Sequence, residues 1–155
     1  IGNGTWRISL REGVTFHDGL PFIAEAVKKS LERMTSDAFY CVDRDRMTSA
    51  LTVSVVDDHT VDINVDPPQL LMPIFLTVFG MGSPATPDDQ LTRAPIGTGP
   101  FVFRSWTPEG IDLAANDAYW GEAPAVASAR YVVRSESALR ASMVEVGEAD
   151  IALAI

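Results

Sequence analysis

The sequence predicts a mixed α/β fold, α+β-like in its first part, and three observations carry that expectation. Leu51, Val53 and Val55 alternate along one short run, and Val61, Ile63 and Val65 along the next, with Asp57-Asp58-His59-Thr60 between them. Two alternating runs joined by turn residues are the pattern of a β-hairpin. Between Pro21 and Ser36, Phe22, Val27, Leu31 and Met34 form an apolar stripe at helical spacing, with Lys28, Lys29, Glu32 and Arg33 on the opposite, wet side. A stretch rich in Gly and Pro, Gly80 to Pro100, separates these elements from a second set of strand-like runs.

The elements follow in chain order. Thr5–Arg11 alternates, with Trp6, Ile8 and Leu10 on one face, and reads as a half-buried strand with no obvious partner before it. Glu12-Gly13 and His17-Asp18-Gly19 are turn chemistry, and Phe16 between them is a core anchor. Pro21 opens the first helix, where Ile23 and Ala24 offer no capping oxygen. Asp37–Thr48 is polar and irregular, with Phe39 and Tyr40 embedded, and runs into a short helix through Met47. After the hairpin, Pro67-Pro68 stops the strand, and Gln69–Phe79 is apolar on all faces, the pattern of a buried helix with Pro73 in its first turn. A run of about 20 residues without periodicity inside one domain is uncommon, so Gly80–Pro100 is the expected boundary. Beyond it, Phe101–Trp106 and Ile111–Ala115 read as strands around Pro108-Glu109-Gly110, and Ala129, Tyr131 and Val133 as a further strand. Ser135 or Ser137 caps a helix carrying Leu139, Met143 and Val146, Gly147 ends it, and Ile151–Ile155 begins another strand.

Composition narrows the class of function. The 155 residues hold 12 Lys+Arg against 21 Asp+Glu, a net charge of −9, with 46% hydrophobic residues. Those fractions suit a globular domain, and roughly 100–200 residues suffice for one core. The acidic excess repels a polyanion at long range and argues against nucleic acid as a partner. A single cysteine, Cys41, excludes an internal disulfide and a multi-cysteine metal site. The longest apolar run, Leu70–Phe79, is too short for a spanning helix of about 20 residues, and no run has the order of a signal peptide.

No reacting constellation is legible. His17 and His59 each sit beside aspartates in turns and read as solvated turn residues, since a metal needs three or four converging ligands. No serine sits in a Gly-x-Ser-x-Gly elbow. Gly97-Thr98-Gly99-Pro100 lacks the Lys and Ser/Thr that open a helix in a phosphate loop, and reads as a tight crossing between two elements. Asn3-Gly4-Thr5 matches a short glycosylation pattern that arises often by chance, and Cys41 has no adjoining basic residue to activate it. No catalytic residue, metal ligand or cofactor is therefore expected. Phe39, Tyr40, Phe79 and Met81 lie in or beside loops, where aromatic and Met side chains either plug the core or line a ligand cleft.

The order of several blocks says more than any one of them. Trp6-Arg7-Ile8-Ser9-Leu10-Arg11-Glu12-Gly13-Val14-Thr15-Phe16-His17-Asp18-Gly19 leads into Pro21-Phe22 and Ala24-Glu25. Asp57-Asp58-His59-Thr60-Val61 follows, then Pro95-Ile96-Gly97-Thr98-Gly99-Pro100-Phe101, Asn116-Asp117-Ala118-Tyr119-Trp120-Gly121-Glu122-Ala123-Pro124 and Gly147-Glu148-Ala149-Asp150-Ile151. This succession resembles the family 5 extracellular solute-binding proteins, the dipeptide-, oligopeptide- and nickel-binding proteins of ABC importers. The chain departs from the family pattern at Ile23, where Thr, Ser or Asp is usual, and at Ala26, often Asp. In the nickel-binding branch an Arg contacts the chelated metal, and the matching region here, Phe79-Gly80-Met81-Gly82, has none.

The resemblance implies an internal piece of a two-lobed periplasmic-binding-protein type II fold. Residues 1–94 would be part of the accessory subdomain of the first lobe, and residues 95–155 the start of the central α/β subdomain. It implies a binding role without catalysis: peptide capture by lobe closure and delivery to ABC permease subunits, outside the cytoplasm, in the periplasm or anchored at the cell surface. Rival ligands are an oligosaccharide, an opine-like compound and a nickel or other metal chelate. A peptide-sensing or chaperone-like module on the same fold is the rival role. The expected cleft residues are Phe39, Tyr40, Phe79, Gly80 and Met81, and Gly97, Thr98 and Gly99 would shape the crossing between subdomains. Cut from its neighbours, the piece is expected to expose apolar surface near Trp6 and Ile151–Ile155 and to self-associate.

Overall fold

A computed structural model describes residues 4–36 and 50–153. Its elements run β1 (Thr5–Ser9), α1 (Ala24–Thr35), β2 (Ala50–Asp57), β3 (Thr60–Asp66), α2 (Met72–Leu76), β4 (Phe101–Thr107), β5 (Gly110–Ala115), β6 (Ser128–Tyr131) and α3 (Ser137–Glu145). They make two antiparallel three-stranded sheets, ordered β1-β3-β2 and β4-β5-β6.

The hairpin forms as the alternation predicts, turning at Asp58-His59. The first strand finds its partner later in the chain, on the free edge of β3, with Trp6 opposite Ile63 and Ile8 opposite Val61. Trp6 is half-buried and donates its indole N–H to the Gln69 carbonyl at 3.2 Å, so the exposure expected at this residue is not found. Gly4 closes the sheet end at φ 85°. The Val65 N–H reaches its carbonyl at 2.9 Å, and a Cβ there would lie 2.5 Å from the Val65 oxygen, so only glycine fits.

Helix α1 packs Ala24, Val27 and Leu31 onto Val53, Val61, Ile63 and Val65, joined by Met72 and Phe79. Its uncapped start is rescued by tertiary structure. Ile23 makes no side-chain cap, and the Ala24 N–H instead donates to the Asp58 carbonyl in the hairpin turn at 2.8 Å.

Four readings of the sequence need correction. The apolar run Gln69–Phe79 yields only the five-residue α2, with Pro73 in its first turn as expected. Met72 and Phe79 are buried, whereas Leu70 is 88% and Ile74 63% exposed, because so short a helix meets the core with one side only. Strand β6 ends at Tyr131, leaving Val133 outside it. Neither Ser135 nor Ser137 caps α3, whose N-cap is Glu136 without a side-chain bond. At its other end Gly147 does terminate the helix, at φ 77°, with the Glu148 N–H on the Met143 carbonyl at 2.8 Å. Residues 151–153 form no strand, and Ile151 and Leu153 are exposed as expected. The irregular run Asp37–Thr48 and the short helix expected within it through Met47, together with Cys41, lie outside the described residues.

All buried apolar side chains among the described residues fall between Val14 and Phe79. Sheet β4-β5-β6 and α3 bury no apolar side chain of their own.

On the outer face of the first sheet, Arg7 stands directly across from Asp62 and donates two bonds of 2.7 Å to its carboxylate. Hydrogen bonding to Arg7, then its charge, holds the Asp62 carboxyl below the usual range. The sign follows from linkage. A carboxyl with a depressed folded-state value adds stability above its unfolded value, and loses it as pH falls through the folded one. Asp62→Asn is therefore expected to flatten the acid limb of the stability–pH curve below about pH 4, read by urea denaturation. An unchanged acid limb would contradict this.

Candidate functional site

Two backbone segments that the sequence treats separately lie side by side. The Ser83 N–H donates to the Ile96 carbonyl at 2.8 Å, and a Cβ placed on Gly97 would sit 3.9 Å from the Met81 carbonyl. Gly80-Met81-Gly82 and Gly97-Thr98-Gly99 thus form one ledge, at the passage from the first sheet to the second.

The ledge is held from the first half by His17. Its backbone N–H donates to the Gly97 carbonyl at 2.9 Å, and its ring Nε2 lies 3.0 Å from the Gly99 carbonyl. The Gly97 N–H approaches ring Nδ1 at 3.4 Å. A carbonyl can only accept, so Nε2 carries the proton and Nδ1 offers its lone pair. The turn residue expected in solvent is instead a half-buried tie between residues 80 positions apart. His59 does stay at its turn, with its backbone N–H on Asp57 Oδ1 at 2.9 Å. That bond, first, and the Thr60 hydroxyl hold the Asp57 carboxyl below the usual range.

From the second half, the Asn116 amide donates to the same Gly99 carbonyl at 3.0 Å, and the Asn116 backbone N–H to Pro100 at 2.8 Å. The Trp120 indole N–H reaches the Thr98 carbonyl at 3.0 Å. Tyr119 packs against Trp120 at 5.0 Å, and the Arg11 guanidinium lies 4.6 Å from the centre of one Trp120 ring.

A strap, Gly82–Asp88, ties the ledge to α1. Ser30 Oγ donates to the Gly82 carbonyl at 3.1 Å and accepts the Gly82 N–H at 3.2 Å. Lys29 reaches the Pro84 carbonyl at 2.7 Å, and Arg33 reaches Ser83, Thr86 and the Asp88 carboxylate. Two residues assigned to the wet side of α1, Lys29 and Arg33, therefore bind backbone carbonyls. Ser83 Oγ completes the strap by donating to Asp18.

Of the expected cleft residues, Phe39 and Tyr40 lie outside the described residues. Phe79 is buried among the first core, Gly80 is exposed, and Met81 is half-buried against that core. Sequence reasoning missed the roles of His17, Asn116, Trp120 and Ser30. A signal for the first three was present, because each lies in one of the blocks that carry the family resemblance, and these blocks converge on the ledge. Ser30 carried no such signal. Among the described residues no group of three or more His, Cys, Asp or Glu could hold a metal ion, and no helix is long and apolar enough to cross a membrane.

The blocks around His17, Gly97–Gly99 and Asn116–Trp120 therefore meet at this one ledge. The chain belongs to the bacterial extracellular solute-binding proteins, family 5, whose middle-region model matches residues 2–155. Protein XP55 of Streptomyces lividans is 31% identical over 157 residues, covering 94% of this chain and 28% of that protein. The glutathione-binding protein GsiB of Escherichia coli K12 is 27% identical over 161 residues, covering 97% and 31%. An ABC transporter substrate-binding protein from Sinorhizobium meliloti superposes with a TM-score of 0.77 at 30% identity, over 95% of this chain and 31% of that one. The chain thus spans less than a third of the length of these relatives.

Proposed function

We propose that the protein is the substrate-binding component of an ABC importer, and that it binds peptides for delivery to a membrane permease. The observation in the fold that carries this reading is the bareness of the ledge. Gly80 and Gly99 have no left-handed backbone, and a Cβ on either would meet nothing within 4 Å. Neither packing nor backbone geometry among the described residues calls for glycine there, and the open space beside both leaves room for close approach of a ligand. GsiB, named for glutathione, itself a tripeptide, supports a peptide as the ligand. Phe39, Tyr40, Phe79, Gly80 and Met81 form one wall of the cleft in this reading, with Gly97, Thr98 and Gly99 at the crossing. Residues 1–94 belong to an accessory subdomain and residues 95–155 to the central one. The protein acts outside the cytoplasm, in keeping with its extracellular family, and by binding.

Thermal-shift titration of the full-length protein tests this. Reduced glutathione or tri-alanine should raise the midpoint, since a ligand at about 100 times its Kd adds roughly 2.7 kcal/mol. Residues 1–155 alone should show no shift, lacking the opposing lobe. A shift with a mannose oligosaccharide or nickel–histidine but with neither peptide would sink the peptide reading.

A further inference from the structure

Gly80 and Met81 are held at both ends. On one side Phe79 is buried in the core. On the other, one hydroxyl engages both hydrogen-bonding groups of Gly82, accepting its N–H and donating to its C=O. That hydroxyl belongs to Ser30, itself buried (5% exposed) on the rigid middle of α1. Ser83, the next residue, is anchored to Ile96 and Asp18 and is fully buried. Between these anchors the two-residue span has little freedom. We propose that Ser30 is a positioning residue: it sets the conformation of the Gly80–Met81 rim that faces the ligand. The inference deepens the peptide-binding reading and rests on it only for what the rim does. The geometry singles out Ser30 from the other ties of α1. Lys29 and Arg33 hold the strap further along, at Pro84 and beyond Gly82, where a lost bond leaves the rim's own anchor in place. A serine inside a helix commonly turns its hydroxyl back onto its own preceding carbonyl. Here it leaves the helix for a residue 52 positions away.

Hydrogen–deuterium exchange and titration of the full-length protein with reduced glutathione and tri-alanine test this together. In Ser30→Ala, exchange over residues 80–83 should rise roughly tenfold, the loss of about one buried bond, with strands β2 and β3 unchanged as an internal reference. Affinity for whichever peptide binds should fall, with the apo midpoint little moved. Lys29→Met should leave exchange at residues 80–82 as in the parent. Unchanged exchange at 80–83 in Ser30→Ala, an equal rise in β2 and β3, or the same local rise in Lys29→Met would each overturn the assignment. If exchange rises locally but the parent binds neither peptide, the peptide reading fails while the support of the rim by Ser30 stands.

Discussion

Leu31→Ala is expected to cost about 2–5 kcal/mol, the range for emptying a fully buried leucine site. Leu31 is 0% exposed and sits where α1 crosses the first sheet, beside Val53, Val61 and Ile63. The loss combines the transfer of its side chain from water with the cavity left behind. Collapse around the gap is limited, because Val61 and Ile63 lie on the central strand β3, fixed in register by β1 on one side and β2 on the other. Against a domain stability of roughly 5–15 kcal/mol this is a large fraction. The described residues supply no second apolar core to compensate, since β4-β5-β6 and α3 bury no apolar side chain. Urea denaturation of the full-length protein followed by tryptophan fluorescence is the measurement. A change under about 1 kcal/mol would mean that the helix is not seated on the hairpin as described.

The second large effect is expected at His17. Removing its ring in His17→Ala takes away the bond to Gly99 and the weaker approach of Gly97. At about 0.5–1.5 kcal/mol for each bond the loss is roughly 1–3 kcal/mol, held to the lower half because the second contact is long. Gly99 keeps Asn116 as a donor, so its carbonyl is not left bare. The change should be local. Proteolysis or hydrogen exchange should increase across residues 96–100, and β2–β3 should keep its protection. His17→Gln, whose amide offers both a donor and an acceptor, should recover part of the loss. Wild-type protection at residues 96–100 in His17→Ala would show that Asn116 and Trp120 suffice to hold the ledge.

These two residues mark how far the sequence could be read. Leu31 was legible because helical periodicity records which face of α1 is apolar, and the same logic of alternation found both β-hairpins. His17 was not, because its partners lie 80 and 82 residues away and are backbone groups, which no side-chain pattern records. Gln69–Phe79 misled for a related reason. Unbroken apolar character promises burial, but how much of it is buried depends on how much core reaches it: only Met72 and Phe79 are buried, Phe75 and Leu76 pack partly against the core, and Leu70, Leu71, Ile74 and Val78 stay exposed. Arg33 misled in the opposite sense. Charge at helical spacing suggests solvent, and Lys29 does stay exposed, yet the Arg33 side chain is 13% exposed and turns its donors onto carbonyls of the strap that passes within reach.

By itself, then, the sequence determined most of the local elements, the acidic excess and, through its ordered blocks, the family. Each of these depends on residues near one another in the chain or on their order along it. Tertiary structure alone decided that the block around His17, the glycine pair at Gly97 and Gly99, and the block from Asn116 to Trp120 meet at one ledge. It also decided that Ser30 holds the strap beside that ledge. The physical reason is that the ledge is made of backbone carbonyls and amides. Every residue carries these groups, so only the folded path of the chain selects which of them are brought together.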